Sequence, residues 1–228
     1  MKKSHLVAGL WIMCCYTSVA SAITGGEIVE RVQKKLNEYK SFSAAFEKQF
    51  YWAALDKNRS REGYLYMRRP GHFRVELDNG DAMVADGQTV WSYVKRNRQV
   101  VVSSYSGELR TPWQIFVDYS DNYIPLAVKE IKLSGRSSYM LILGSADQSE
   151  VRSRKQMKVW VDKKKWWLMQ IETVEDNGDI TTYKLKDHKE NKKIKDDVFA
   201  FEVPKGIDVI DRRVPVLGEA RGLVVREE

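Results

Sequence analysis

From about residue 43 to residue 203, apolar side chains recur at every second position in short runs, and turn-forming residues separate the runs. Period two is the repeat of a β-strand, whose successive side chains point to opposite faces. In the first run Ala44, Phe46, Lys48, Phe50 and Trp52 alternate with Ala45, Glu47, Gln49 and Tyr51. Further strands are expected over 63–69, 73–77, 82–85, 89–94 and 99–103, with breakers at Pro70-Gly71, Asp78-Asn79-Gly80, Asp86-Gly87 and Arg96-Asn97-Arg98. The pattern breaks over 104–126 and resumes over 127–133, 139–143, 157–162, 168–174 and 180–186, with Asn177-Gly178 marking a hairpin. A last run, 198–203, closes the set.

Such closely spaced runs imply an antiparallel meander in which each strand lies beside the next. Roughly eleven strands are too many for a strongly twisted sheet to stay flat, so it curls towards a barrel. Two helices accompany it. Thr24 and Glu27 form a capping box, and Val29, Val32, Leu36 and Tyr39 follow as one apolar stripe. The opposite face mixes Glu30, Glu38, Arg31, Lys34 and Lys35, which favours packing on a core over lying on a membrane surface. Thr111-Pro112 reads as the start of a short, very apolar helix carrying Trp113, Ile115, Phe116 and Tyr119. The expected fold class is mainly β with a few helices (α+β).

The N-terminus is a targeting segment by pattern. Lys2 and Lys3 precede the mostly apolar run 6–19, and Ala20-Ser21-Ala22 is a small-residue cleavage site. The run is short for a spanning helix, although an uncleaved anchor is the alternative. Residues 1–22 are therefore expected to be removed as a signal peptide, leaving one domain over 23–211 and a weakly patterned extension over 212–228. Both cysteines, Cys14 and Cys15, leave with the signal, which excludes disulfides and thiol chemistry from the mature chain. His72 and His188 form no zinc-binding pair, so no metal site is expected, and no nucleophile elbow, P-loop or dinucleotide fingerprint occurs. No catalytic residue and no cofactor are expected.

A curled sheet of this size must fill its interior or enclose a cavity. Several strands are aromatic on both faces, and the helices are too few to cover both, which points to an apolar interior partly roofed by helix. The formal charge is +7, and it is uneven: 152–195 holds 13 Lys or Arg against 7 Asp or Glu. Lys163-Lys164-Lys165 at a hairpin tip is either a solvated face or an attractor of anionic headgroups or acidic partners. Export argues against nucleic acid. Arg69 shares a strand face with Leu65 and Met67, so it either enters the apolar interior and bonds carbonyls of a covering element, or sits in water at the rim beside Pro70.

The stretches G-Y-L-Y-M-R-R-P-G-H-F-R-V (63–75) and V-A-D-G-Q-T-V-W-S-Y (84–93) resemble the periplasmic lipoprotein carrier family, LolA. Phe42-Ser43-Ala44-Ala45-Phe46 with Gln49, Thr111-Pro112, and Phe199-x-Phe201-x-x-Pro204-x-Gly206-x-Asp208-Val209 match that family in its order. The resemblance implies an incomplete barrel with lid helices. It also implies a periplasmic, monomeric carrier whose cargo is triacylated lipoproteins, released by an inner-membrane ABC complex and handed to an outer-membrane receptor. The family's lid-latching arginine falls on Arg69. The acyl cavity would be lined by Leu65, Met67, Phe73, Val75, Trp91, Trp113 and Phe116, under a lid of Pro112, Trp113, Ile115 and Phe116. Val75 stands where the family commonly has Trp, and Asp118 and Asp121 make the lid unusually polar. A lipid- or lipoprotein-sensing module of the same fold is the alternative function.

Overall fold

The computed structural model describes residues 22–106, 123–145 and 156–213. Helix α1 (Gly25–Asn37) opens on the expected capping box: the Glu27 N–H donates to Thr24 Oγ1 at 3.2 Å, and the Thr24 N–H donates to Glu27 Oε2 at 2.7 Å. Twelve strands follow among the described residues, forming one sheet. They are β1 (Ser41–Trp52), β2 (Lys57–Arg68), β3 (His72–Leu77), β4 (Ala82–Asp86), β5 (Thr89–Val94), β6 (Gln99–Ser104), β7 (Tyr123–Leu133), β8 (Arg136–Ser145), β9 (Gln156–Asp162), β10 (Leu168–Val174), β11 (Ile180–Glu190) and β12 (Asp208–Asp211).

The spatial order is β12-β6-β5-β4-β3-β2-β1-β11-β10-β9-β8-β7, so β1 joins two meanders by pairing with both β2 and β11. The edges β12 and β7 do not pair with each other, and the curled sheet is an incomplete barrel. Every pairing is antiparallel except that of β12 with β6, which is parallel.

Two expectations need correction. Residues 198–203 are not a strand. Asp196–Phe199 is a 3-10 turn, and the chain then runs outside the sheet until β12, which supplies the edge. Phe199 and Phe201 alternate as in a strand because both turn towards the sheet's outer face: Phe199 lies edge-on to His72 at 5.4 Å, and Phe201 stacks on Trp91 at 6.1 Å. Strand β2 also begins at Lys57 and not near 63. Its first six residues are all exposed, so no hydrophobic alternation marks them, and β1 holds them by the backbone ladder with one side-chain bond, from Ser60 Oγ to Glu47 at 3.0 Å.

The main core lies on the inner face. Ile28 and Val32 of α1 are fully buried there against Phe42 and Ala44 of β1, Leu65 of β2, Leu141 of β8 and Val159 of β9. Full burial of side chains of this size contributes about 1.5–3 kcal/mol each. Val29 and Leu36 are only partly buried, so the buried stripe is rotated slightly from the one expected. At its N-terminal end α1 approaches β7 closely: a Cβ on Gly25 would lie 2.4 Å from Pro125 Cβ. A smaller apolar cluster, containing Val84, Val100, Val102 and Phe199, is buried separately from the main core.

Candidate functional site

Helix α1 packs on the inner face with the main core, whose residues come from β1 to β5 and from β8 to β11. Beside it, β1 to β5 and β11 line an apolar cavity of about 310 Å³. This lies at the lower end of the range for ligand pockets. Its walls follow from register. Leu65 pairs with Val75, and Val75 with Met83, so one row of the inner face runs across β2, β3 and β4. Phe46 pairs with Leu185 on one side and with Gly63 on the other. Gly63 is required there, because a Cβ at that position would lie 2.5 Å from the Phe46 ring and 2.3 Å from the Glu76 carbonyl oxygen. Phe73, Leu77, Val94 and Tyr183 complete the apolar lining, and Lys48 and Asp81 stand at its polar end.

Of the residues expected to line a cavity, Leu65, Phe73 and Val75 do so. Met67 lies beside it, paired with Phe73 and packed on the main core. Trp91 is on the wrong face. It pairs with Val84 and Val102 and stacks on Phe201, so it belongs to the outer cluster. The strand motif gave its neighbourhood correctly, but the inward positions of β5 are Val90, Ser92 and Val94. Pro112, Trp113, Ile115 and Phe116 lie outside the described residues. Phe46, Met83, Tyr183 and Leu185 were not singled out in the sequence, although period two places Phe46 on the same face as Ala44.

Arg69 is exposed at the rim, just past the end of β2, and does not enter the cavity. Its backbone N–H donates to the Lys40 carbonyl at 2.9 Å. Its Nε donates to the Tyr39 carbonyl at 3.0 Å and its Nη2 to the Leu36 carbonyl at 3.4 Å. Carbonyls in the last turn of a helix have no intrahelical partner, and a cation there also complements the helix dipole. Arg69 therefore ties the rim of β2 to the C-terminal end of α1.

A polar cluster flanks α1 at the same end. Lys35 Nζ donates to Glu190 Oε2 at 2.5 Å, and Trp167 Nε1 donates to the other carboxylate oxygen. Burial alone would raise the Glu190 carboxyl, but these two bonds hold it below the ordinary carboxylate range. His188 stacks on Trp167 at 4.7 Å and donates from Nε2 to the Leu168 carbonyl at 2.9 Å. Burial pushes the His188 imidazole below its ordinary pKa. In the nearby turn, Asp162 accepts from the backbone N–H groups of Lys164 and Lys165 at 2.9 and 2.6 Å. Lys163 is paired with Glu130 at 2.7 Å, and Lys165 lies over Trp167, so two of the three lysines are engaged within the fold.

Residues 37–202 match the family model described as outer membrane lipoprotein carrier protein LolA. This chain belongs to the LolA family. An outer-membrane lipoprotein carrier protein of Sodalis glossinidius is 26% identical over 216 residues, covering 93% of this chain and all of that one. One of the same name from Histophilus somni is 26% identical over 196 residues, covering 85% and 92%. Among solved structures, an uncharacterized conserved protein from Thermus thermophilus superposes with a TM-score of 0.54 at 17% identity, covering 82% of this chain and 98% of that one. At that identity the likeness concerns the fold.

LolA carriers form a binding and transport family. No group of three His, Cys, Asp or Glu side chains able to hold a metal occurs among the described residues. Membership of the LolA family places this chain among proteins of lipoprotein transport and lipid binding.

Proposed function

We propose that the protein is a periplasmic carrier that takes acyl chains of lipoproteins into the inner-face cavity and shuttles them from the inner to the outer membrane. The carrying observation is an apolar cavity built from one register-aligned row, Leu65, Val75 and Met83, in a chain of the LolA family. Each CH₂ of a buried acyl chain contributes about 0.8 kcal/mol, so one long chain is worth on the order of 10 kcal/mol and cannot cross water unshielded.

An empty apolar cavity is itself a liability, so it needs a cover. Arg69 acts as the latch of the empty state by holding α1 at Tyr39 and Leu36. The lid read from the sequence, Pro112, Trp113, Ile115 and Phe116, is the remaining cover in this proposal and lies outside the described residues. Cargo entry exchanges lid contacts for acyl contacts, a two-state shift set by the difference in affinity. An inner-membrane ABC complex loads the carrier, and an outer-membrane receptor unloads it. Removal of residues 1–22 at export yields the working form, and 212–228 is an extension beyond the carrier domain.

The test is a release assay with purified residues 23–228. Spheroplasts holding a labelled triacylated lipoprotein are incubated with the protein, and the supernatant is examined for a one-to-one complex. A soluble complex is the expected result. Failure to release cargo, with an acyl dye still bound, would turn the proposal towards a sensor that binds but does not transfer.

A further inference from the structure

The β1–β2 hairpin extends beyond the cavity, and its inner face continues as a strip of cations and aromatics. Along β1 the strip holds Lys48, Phe50 and Trp52, and along β2 it holds Arg61, Arg59 and Lys57. Register pairs them directly: Lys48 with Arg61, Phe50 with Arg59, Trp52 with Lys57. No register shift interrupts this pairing, so all six lie on the face that carries Phe46 and Leu65 into the cavity. Each two-residue step advances about 7 Å, so Lys48 and Arg61 sit one step outside the Phe46–Gly63 floor and Arg59 two steps outside.

The cations of this strip are poorly matched. Lys48 and Arg61 are like charges directly opposite, an arrangement that destabilises an antiparallel pair. Arg61 has one distant acid, Asp78 at 3.8 Å, with both side chains about half exposed. Among the described residues Lys57 and Arg59 have no ion-pair partner, and Lys48 lies over the Tyr183 ring. The other face of the same hairpin differs: Glu47 is met by Gln49, Ser60 and Lys184. The unmatched positive charge is thus confined to the face that leads into the cavity.

We propose that this strip is a subsite for the anionic headgroup of a lipid whose chain occupies the cavity. The inference rests on the acyl-binding role of the cavity and adds the chemical class of the ligand. A phosphate one step outside the apolar floor meets Lys48 and Arg61 together, and a guanidinium can bind it bidentately. Its charge also removes the Lys48–Arg61 repulsion. Arg59 takes the next polar group outward, and Phe50 covers the chain where it leaves the cavity.

The test is displacement of a cavity-bound fluorescent fatty-acyl probe from the mature protein at low and at physiological salt. The competitors share one chain: palmitoyl-lysophosphatidylglycerol, which is anionic, and palmitoyl-lysophosphatidylcholine, which is zwitterionic. The anionic lipid should displace the probe at about tenfold lower concentration, as expected from one or two charge-assisted bonds, with the ratio shrinking as salt rises. The double variant Arg59→Gln/Arg61→Gln should bring the ratio to near unity, whereas Lys184→Gln, on the other face, should leave it as it was. Thermal melts check that both variants are folded. Equal displacement by the two lipids in the unmodified protein would overturn the subsite and leave the acyl cavity standing. Failure of the probe and both lipids to bind would overturn the cavity's role and the subsite with it. Displacement by glycerol 3-phosphate as effective as by the anionic lipid would overturn the lipid assignment in favour of a soluble anion.

Discussion

Replacing Arg69 by leucine should release the C-terminal end of α1 from the rim of β2. Two side-chain bonds are lost, one of 3.0 Å to the Tyr39 carbonyl and one of 3.4 Å to the Leu36 carbonyl. A hydrogen bond to a charged group is worth about 1.5–3 kcal/mol, but exposure and the length of the second bond place the pair near the low end, about 1–2 kcal/mol in total. That corresponds to a factor of roughly 5–30 in the opening equilibrium of this end of the helix. Amide hydrogen exchange reads this opening at the Glu38 and Tyr39 N–H groups, which donate to Lys34 and Leu36. These amides should exchange roughly 5–30 times faster in Arg69→Leu, while those of β8 and β9 should keep their rates. The variant should still bind acyl chains. It should release them less readily, because the closed empty state that competes with cargo has lost its latch. Unchanged exchange at 38 and 39, or normal hand-over of cargo by a variant with accelerated exchange, would refute the reasoning.

Other consequences follow from single residues. Gly63→Ala forces a methyl group to 2.3 Å from a backbone oxygen and 2.5 Å from Phe46, so one neighbour must move. It should cost about 1–3 kcal/mol, measured by chemical denaturation, and should also lower affinity for an acyl probe. His188 is pushed below its ordinary pKa chiefly by burial, opposed first by its bond to the Leu168 carbonyl, with Arg136 adding to the fall and Glu190 and Asp162 also opposing it. The folded state therefore binds fewer protons than the unfolded one around that pKa, and stability falls as pH drops below about 6.5 towards the folded value. His188→Phe preserves the stack on Trp167 and should flatten the melting temperature in that window. A slope equal to that of the unmodified protein would exclude His188 as its source.

The strands were legible where apolar and polar side chains alternate, as Phe73, Val75 and Leu77 alternate with Arg74 and Glu76 in β3. Lys57–Glu62 escaped notice because both of its faces are polar, and β1 recruits it by the backbone ladder and one polar side-chain bond, not by apolar packing. Phe199 and Phe201 misled for the opposite reason: their alternation reflects packing on the outer face of the sheet, a tertiary contact that no local period reveals. The same contact explains Trp91, since a strand with apolar residues on both faces does not declare which is inward. Leu65, Phe73 and Val75 were legible because one strand face continues through Met67 and the Pro70-Gly71 turn into the next. Arg69 shows how a strand's end breaks the rule. Its position by period is inward, but β2 stops at Arg68, and the side chain turns along the rim to the end of α1.

The central claim is that the inner face holds the acyl chain. A photoreactive amino acid placed at Val75, in the cavity wall, or at Trp91, on the outer cluster, tests it in protein loaded with an acylated peptide. Acyl-chain crosslinks should form from position 75 and be absent from position 91. Crosslinks from 91 and none from 75 would contradict the claim.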